Sequence, residues 1–72
     1  MTRQPRLTAK EAIQILESNG FLFNRQSGSH KIYKRADGKR ATVPFHGSKI
    51  IKPKTLKMIF KDTGINLFNE VN

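Results

Sequence analysis

FLFNRQSGSHKIYKRADGKRATVP, residues 21–44, contains three segments of β-forming residues separated by two turn sequences. Aromatic and β-branched residues favour strands, whereas Gln26-Ser27-Gly28 and Asp37-Gly38 are typical of turns. Strands joined by connections this short pair antiparallel. The segment therefore predicts a three-stranded antiparallel sheet, with strands at residues 21–25, 29–34 and 39–44.

The residues before the sheet have the pattern of an amphipathic helix. Thr8 and Glu11 stand at capping-box spacing, so each side chain can reach the other's backbone N–H. Asn19-Gly20 is a typical helix end, because glycine adopts the left-handed conformation at little cost. We therefore expect a helix at Ala9–Ser18 with one buried apolar face: Ala9, Ala12, Ile13 and Leu16.

A second helix is predicted after the sheet. Pro53 suits its first position, because the ring presets a helical φ and the missing N–H is not needed there. Gly64 ends this helix, whose apolar stripe is Leu56, Ile59 and Phe60. Four apolar residues remain that could close the core: Ile65, Leu67, Phe68 and Val71.

The order α-β-β-β-α predicts an α+β fold. A three-stranded antiparallel sheet with both helices on one face buries the apolar stripes and leaves the other face open. This is the layout of the double-stranded RNA-binding domain, although layout alone does not determine function.

Size and composition narrow the class of protein. The chain of 72 residues is expected to form one domain, with residues 1–6 as a flexible arm. It has no cysteine, which excludes disulfides and thiolate zinc sites. No apolar run approaches the roughly 18 residues of a membrane span, and the N-terminus is polar. These features favour a cytoplasmic protein with no membrane role.

Positive charge is the strongest signal in the composition. The net charge is +9, and eleven of the 14 basic residues lie between Arg25 and Lys61, where Asp37 is the only acid. Such an excess attracts polyanions and predicts nucleic-acid binding. An acidic protein partner would fit the same charge, and a solvated surface that keeps the protein soluble is the plain alternative.

His30 is the main candidate for chemistry, because it follows the tight turn at Gly28-Ser29. Imidazole exchanges protons near neutral pH. In metal-free RNA cleavage a base takes the proton of the 2′-OH, an acid protonates the leaving oxygen, and cations stabilise the phosphorane. His30 could do part of this work. Phosphate binding without catalysis, or capping of the turn, is the alternative.

His46 follows the third strand and is a candidate auxiliary group. It could lie on the same side of the sheet as His30, or face solvent as a loop residue. Two histidines without a carboxylate at ligand spacing are too few for a zinc site. We therefore expect no metal and no cofactor.

Several residues around these histidines are candidates for RNA contacts. Lys52 and Lys54 flank the start of the second helix, where free N–H groups bind phosphate, or they are simply solvated. Phe45, in a loop, is the better candidate for an exposed aromatic that stacks on a base. Phe21, Phe23, Tyr33 and Phe60 are expected in the core. The predicted RNA-binding set is Arg25, Gly28, Ser29, Lys31, Lys34, Lys52 and Lys54.

The chain resembles the HicA toxins of type II toxin–antitoxin pairs over about residues 8–67. The resemblance rests on a series of short sequences in this order and spacing: Asn19-Gly20-Phe21, Arg25 before Gly28-Ser29-His30, Asp37-Gly38, Val43-Pro44 before His46, Thr55-Leu56 and Gly64-Ile65. The chain departs from the family at Pro53-Lys54, where Lys-Gly or Gly often precedes the Thr-Leu pair. This departure is expected to stiffen the start of the helix and to alter the local phosphate contacts.

This resemblance implies a fold like the double-stranded RNA-binding domain and an mRNA-cleaving endoribonuclease activity that does not need the ribosome. It also implies a single catalytic histidine, which falls on His30, and a HicB antitoxin that binds and blocks the toxin. A non-catalytic RNA-binding module remains the alternative.

Overall fold

The computed structural model describes residues 6–46 and 49–65. Its elements confirm the predicted order and fold class: α1 (Ala9–Ser18), β1 (Leu22–Ser27), β2 (His30–Lys34), β3 (Arg40–Pro44) and α2 (Pro53–Thr63). The predicted arm at residues 1–6 and the predicted closing segment after Ile65 fall almost entirely outside the described residues. No helix in the described part is long and apolar enough to cross a membrane.

Helix α1 begins at the predicted capping box. The Thr8 hydroxyl accepts a hydrogen bond from the Glu11 backbone N–H at 3.2 Å, and the Glu11 carboxylate accepts one from the Thr8 N–H at 2.9 Å. The four predicted core residues of this helix are all buried. Helix α2 likewise begins at Pro53 and ends at Gly64, whose φ of 74° is left-handed.

The sheet has the order β1-β2-β3 with both pairs antiparallel. Strand β1 continues to Ser27, two residues beyond its predicted end, because Ser27 pairs with His30 and only Gly28 and Ser29 form the loop. Gly28 has a φ of +59°. The first loop position of a type II′ turn requires a positive φ, and such turns suit the twist of a hairpin.

The two helices cover one face of the sheet and form a single core. Phe21, Tyr33, Ala41 and Val43 from the sheet region pack with the apolar faces of the helices, together with Leu7 and Ile51. The helices begin side by side, since the Ile51 N–H donates to the Leu7 carbonyl at 2.8 Å and Thr8 bridges to Ile50.

Arg35 ties the β2–β3 loop to the end of α1. Its guanidinium donates to the Asp37 carboxylate at 2.8 Å and to the Asn19 carbonyl at 3.2 Å. The same group lies 4.7 Å from the centre of the Phe21 ring. These contacts hold the hairpin loop against the helix-covered side of the sheet.

The prediction that Phe23 belongs to the core is wrong. Phe21 precedes β1 and is completely buried, whereas Phe23 lies on the outer strand with 54% of its surface exposed. Phe23 contacts only the edge of the core through an edge-to-face contact with Tyr33, with ring centres 5.7 Å apart. Both helices pack mainly over β3, at the opposite edge of the sheet, and leave the Phe23 ring largely uncovered.

We expect Phe21→Ala to lower the free energy of unfolding by about 3–5 kcal/mol, the usual cost of emptying a buried aromatic site. Phe23→Ala should cost only about 1 kcal/mol, the worth of an aromatic pair at a rim. Urea unfolding followed by circular dichroism measures both. Equal losses for the two variants would contradict this assignment of core and rim.

The pKa of Asp37 is lowered from 3.8 to about 2, first by the hydrogen bond from Arg35 and then by the Lys39 backbone N–H. A carboxyl whose pKa is lower in the folded state contributes stability above its unfolded pKa and loses it as the pH falls through the folded value. The native chain should therefore lose stability between about pH 4 and pH 2 that Asp37→Asn does not lose. Urea unfolding at stepped pH tests this, and parallel pH profiles for the two chains would refute it.

Candidate nucleic-acid interface on the open face of the sheet

The sheet surface turned away from the helices is here called the open face. Tyr33, Ala41 and Val43 are buried against the helices, so the residues that alternate with them point to the opposite side. The strand register arranges the open face in three rows: Ser27–His30–Pro44, Arg25–Ile32–Thr42 and Leu22–Lys34–Arg40.

The open face carries positive charge without a compensating acid. Arg25, Lys34 and Arg40 are all exposed. No Asp or Glu belongs to its three rows, and within residues 6–46 and 49–65 the only ion pair is Arg35 with Asp37. Ile32, at the centre of the face, is only 9% exposed. The surface that a ligand meets is therefore mainly polar and basic, which attracts an anion.

A β-bulge determines that Arg25 lies on this face. The register shifts between Phe23 and Arg25, which leaves Asn24 as an extra residue in β1. In a regular strand, residues two apart share a face, but here Phe23 pairs with Tyr33 on the helix side while Arg25 pairs with Ile32 on the open face. Bulges commonly redirect side chains beside functional sites.

His30 is placed by the turn that precedes it. It is the first residue of β2, is exposed, and lies between Ser27 on β1 and Pro44 on β3. Side chains directly opposite each other in such a sheet have Cβ atoms about 5 Å apart. One further bond, from the Phe45 N–H to the Ser29 carbonyl, holds the strands together beyond His30. The imidazole thus stands on a rigid edge of the open face.

Ser27 and Arg40 are open-face residues that sequence reasoning missed. The sequence predicts Ser27 in the turn, and it does not distinguish Arg40 from the other basic residues. Only the cross-strand register brings Ser27 beside His30 and Arg40 beside Lys34.

Lys31 follows His30 in sequence but lies on the other side of the sheet. It pairs with the buried Val43, and its ammonium lies 4.1 Å from the centre of the Phe45 ring. Phe45 is half-buried against the core, so the expectation of an exposed loop aromatic is wrong. Instead, the Phe45 ring makes a cation–π contact with the Lys31 ammonium.

The remaining candidates lie outside the three rows of the open face. His46 is exposed beyond the end of the β2–β3 ladder, and its carbonyl accepts the Lys49 N–H at 3.4 Å. Lys52 and Lys54 are exposed at the start of α2, in the helix layer, where no side chain caps the helix. In the part of the chain that the structure describes, no three His, Cys, Asp or Glu side chains are grouped as metal ligands would be.

The fold and this surface define a small α-β-β-β-α domain whose uncovered sheet face is basic and carries His30. The family model for the HicA toxin of bacterial toxin–antitoxin systems matches residues 9–65, which span all five elements. The chain therefore belongs to the HicA toxin family, as the resemblance indicated. A search of curated proteins found no match to the chain.

The contact between Lys31 and Phe45 should stabilise the fold measurably. A double-mutant cycle with Lys31→Ala, Phe45→Leu and the double variant should give a coupling free energy of about 0.5–1 kcal/mol, the usual value for a cation over an exposed or half-buried ring. Urea unfolding of the four chains provides the numbers. Additive effects would show that the ammonium is not held by the ring in solution.

Proposed function

We propose that this member of the HicA family is a toxin that cleaves mRNA as a metal-independent endoribonuclease, with His30 as its acid/base residue. One observation carries the proposal. His30 is exposed at the end of β2, on the sheet face that also carries three exposed cations. Among the described residues, no acid belongs to the rows of that face.

In the proposed reaction His30 takes the proton of a ribose 2′-OH. The 2′ oxygen forms a bond to the adjacent phosphorus, the bond from phosphorus to the 5′ oxygen breaks, and the departing 5′ oxygen receives a proton. The product ends are a 2′,3′-cyclic phosphate and a 5′-hydroxyl. His46, a lysine or water would supply the second proton, so that the chemistry needs no cofactor.

Cations on the open face would stabilise the negative charge that develops on the phosphorane. Arg25 is the nearest of them, because its row adjoins that of His30. Arg25 and Lys34 would also hold the RNA backbone through charge-assisted hydrogen bonds.

The other proposed RNA contacts lie beyond the open face. The Gly28-Ser29 turn adjoins His30, whereas Lys31, Lys52 and Lys54 are on the helix side of the sheet. An RNA strand that reaches all of them would bend around the end of the sheet at His30. Such a path would present the backbone at the bend to the imidazole.

Membership of a toxin–antitoxin family implies an antitoxin partner, and we propose a HicB-like protein in the cytoplasm, where mRNA is available. An acidic antitoxin surface could cover the open face and His30 together. A complex that leaves His30 exposed to solvent would contradict such direct masking.

A non-catalytic RNA-binding module is the second candidate. Ser27 and Pro44, the direct neighbours of His30, supply no second proton-transfer group with a pKa near neutrality. Such a module would bind RNA with the salt dependence of a basic surface and would leave the RNA intact on a denaturing gel.

His30→Ala should lower the rate of RNA cleavage by about 10²–10⁴, the usual worth of a general acid–base group. The assay uses the pure full chain, a long RNA and EDTA, with Lys57→Ala on the outer surface of α2 as a control substitution away from the open face. Full activity in His30→Ala would reject the residue assignment. Bound but intact RNA with the native chain would instead favour the binding module.

A further inference from the structure

The third row of the open face contains an unusual pair of cations. Lys34 and Arg40 stand directly opposite each other on β2 and β3, and both are exposed. Like charges in this relation destabilise a sheet. Fold stability therefore does not explain why two cations stand together there.

No acid within the described residues neutralises this pair. Asp37 is the nearest acid in the sequence, but its carboxylate accepts hydrogen bonds from the Arg35 guanidinium at 2.8 Å and from the Lys39 N–H at 3.1 Å. The two side chains can thus converge on an external anion. Leu22 completes the row, and 72% of its surface is exposed.

An anionic group beside an apolar one is the chemistry of a nucleotide. A phosphate would take the two cations, and a sugar or base edge would cover Leu22. An acidic peptide would also satisfy the cations. Lys34, however, lies on the same strand and the same face as His30, which suits one extended backbone with regularly spaced charges.

The distance along β2 between His30 and Lys34 shows how far the third row lies from the candidate catalytic residue. Lys34 is four residues from His30, which corresponds to about 13 Å of strand. Each strand of B-form DNA carries one phosphate per about 3.4 Å of helix axis, so a strand stacked in that way would need about four nucleotides to cover this distance. Fewer nucleotides would span it if the strand were extended.

We propose that Lys34 and Arg40 form a second phosphate-binding subsite for the RNA strand whose scissile phosphate lies at His30. Arg25 contacts the backbone between the two ends. The subsite rests on the proposed function for its link to cleavage, and it makes substrate length a determinant of binding. RNA that extends from the cleaved bond far enough to span this distance, at most about four nucleotides, uses it, and a diribonucleotide does not.

The test measures binding separately from cleavage. In a His30→Ala background, which keeps RNA intact, we compare Lys34→Ala/Arg40→Ala with Lys57→Ala/Lys61→Ala, a control that removes the same charge from α2. Binding of a dodecaribonucleotide is followed by fluorescence anisotropy at several salt concentrations. Binding of a diribonucleotide is followed by NMR titration. Circular dichroism checks folding, and Lys34→Gln/Arg40→Gln replaces the alanine pair if that variant fails to fold.

The subsite predicts that the Lys34/Arg40 variant binds the dodecamer about tenfold more weakly or worse, the worth of a charge-assisted hydrogen bond. The slope of log affinity against log salt should fall by about 0.7–1.4, for the loss of one or two contacts. Diribonucleotide binding should match that of the control. Dodecamer binding that also matches the control would overturn the proposal.

Two further outcomes distinguish the phosphate subsite from a surface for an acidic protein and from the proposed nuclease function. If the pair contributes at least as much to the binding of poly-glutamate as to that of the dodecamer, the surface is one for an acidic protein and the RNA subsite is rejected. If the chain with His30 intact never cleaves RNA while the length effect persists, the nuclease function fails and the phosphate subsite stands.

Discussion

Burial of one sheet face under two helices is the constraint on which the rest of this structure depends. A chain of 72 residues buries only about 60% of the surface that its unfolded form exposes, less than a larger domain does, and one compact core uses most of its apolar side chains. That core lies between the sheet and the helices. The other sheet face must therefore meet water, which frees its positions for charged groups and for His30.

Two local features turn this uncovered surface into a candidate site. The Gly28-Ser29 loop makes His30 the first residue of its strand, and the bulge at Asn24 brings Arg25 to the same face. Both features are backbone geometry, so the side chains they place stand on a rigid scaffold. Rigid placement is what acid–base chemistry and phosphate binding require of a small protein.

Charge and shape act together on the open face. Three exposed cations without an acid in the rows of this face raise the local concentration of polyanions, and the strand register places them in two neighbouring rows. Lys31 does not belong to this group of cations. It is next to His30 in sequence, but its ammonium lies over the Phe45 ring on the helix side of the sheet. Sequence proximity to a catalytic candidate is thus a poor guide to a shared surface in a strand.

Local patterns in the sequence determined the order of elements, the capped first helix, both helix ends and the fold class, because each depends on neighbouring residues. The series of short sequences that includes Gly28-Ser29-His30 was also enough to indicate the HicA toxin family, whose model matches residues 9–65. Only the tertiary structure decided four other features: the strand register, the bulge in β1, the exposed position of Phe23 and the pairing of Lys34 with Arg40. A shift of one residue in pairing exchanges the two faces of a strand, and that shift is determined by contacts between segments distant in sequence.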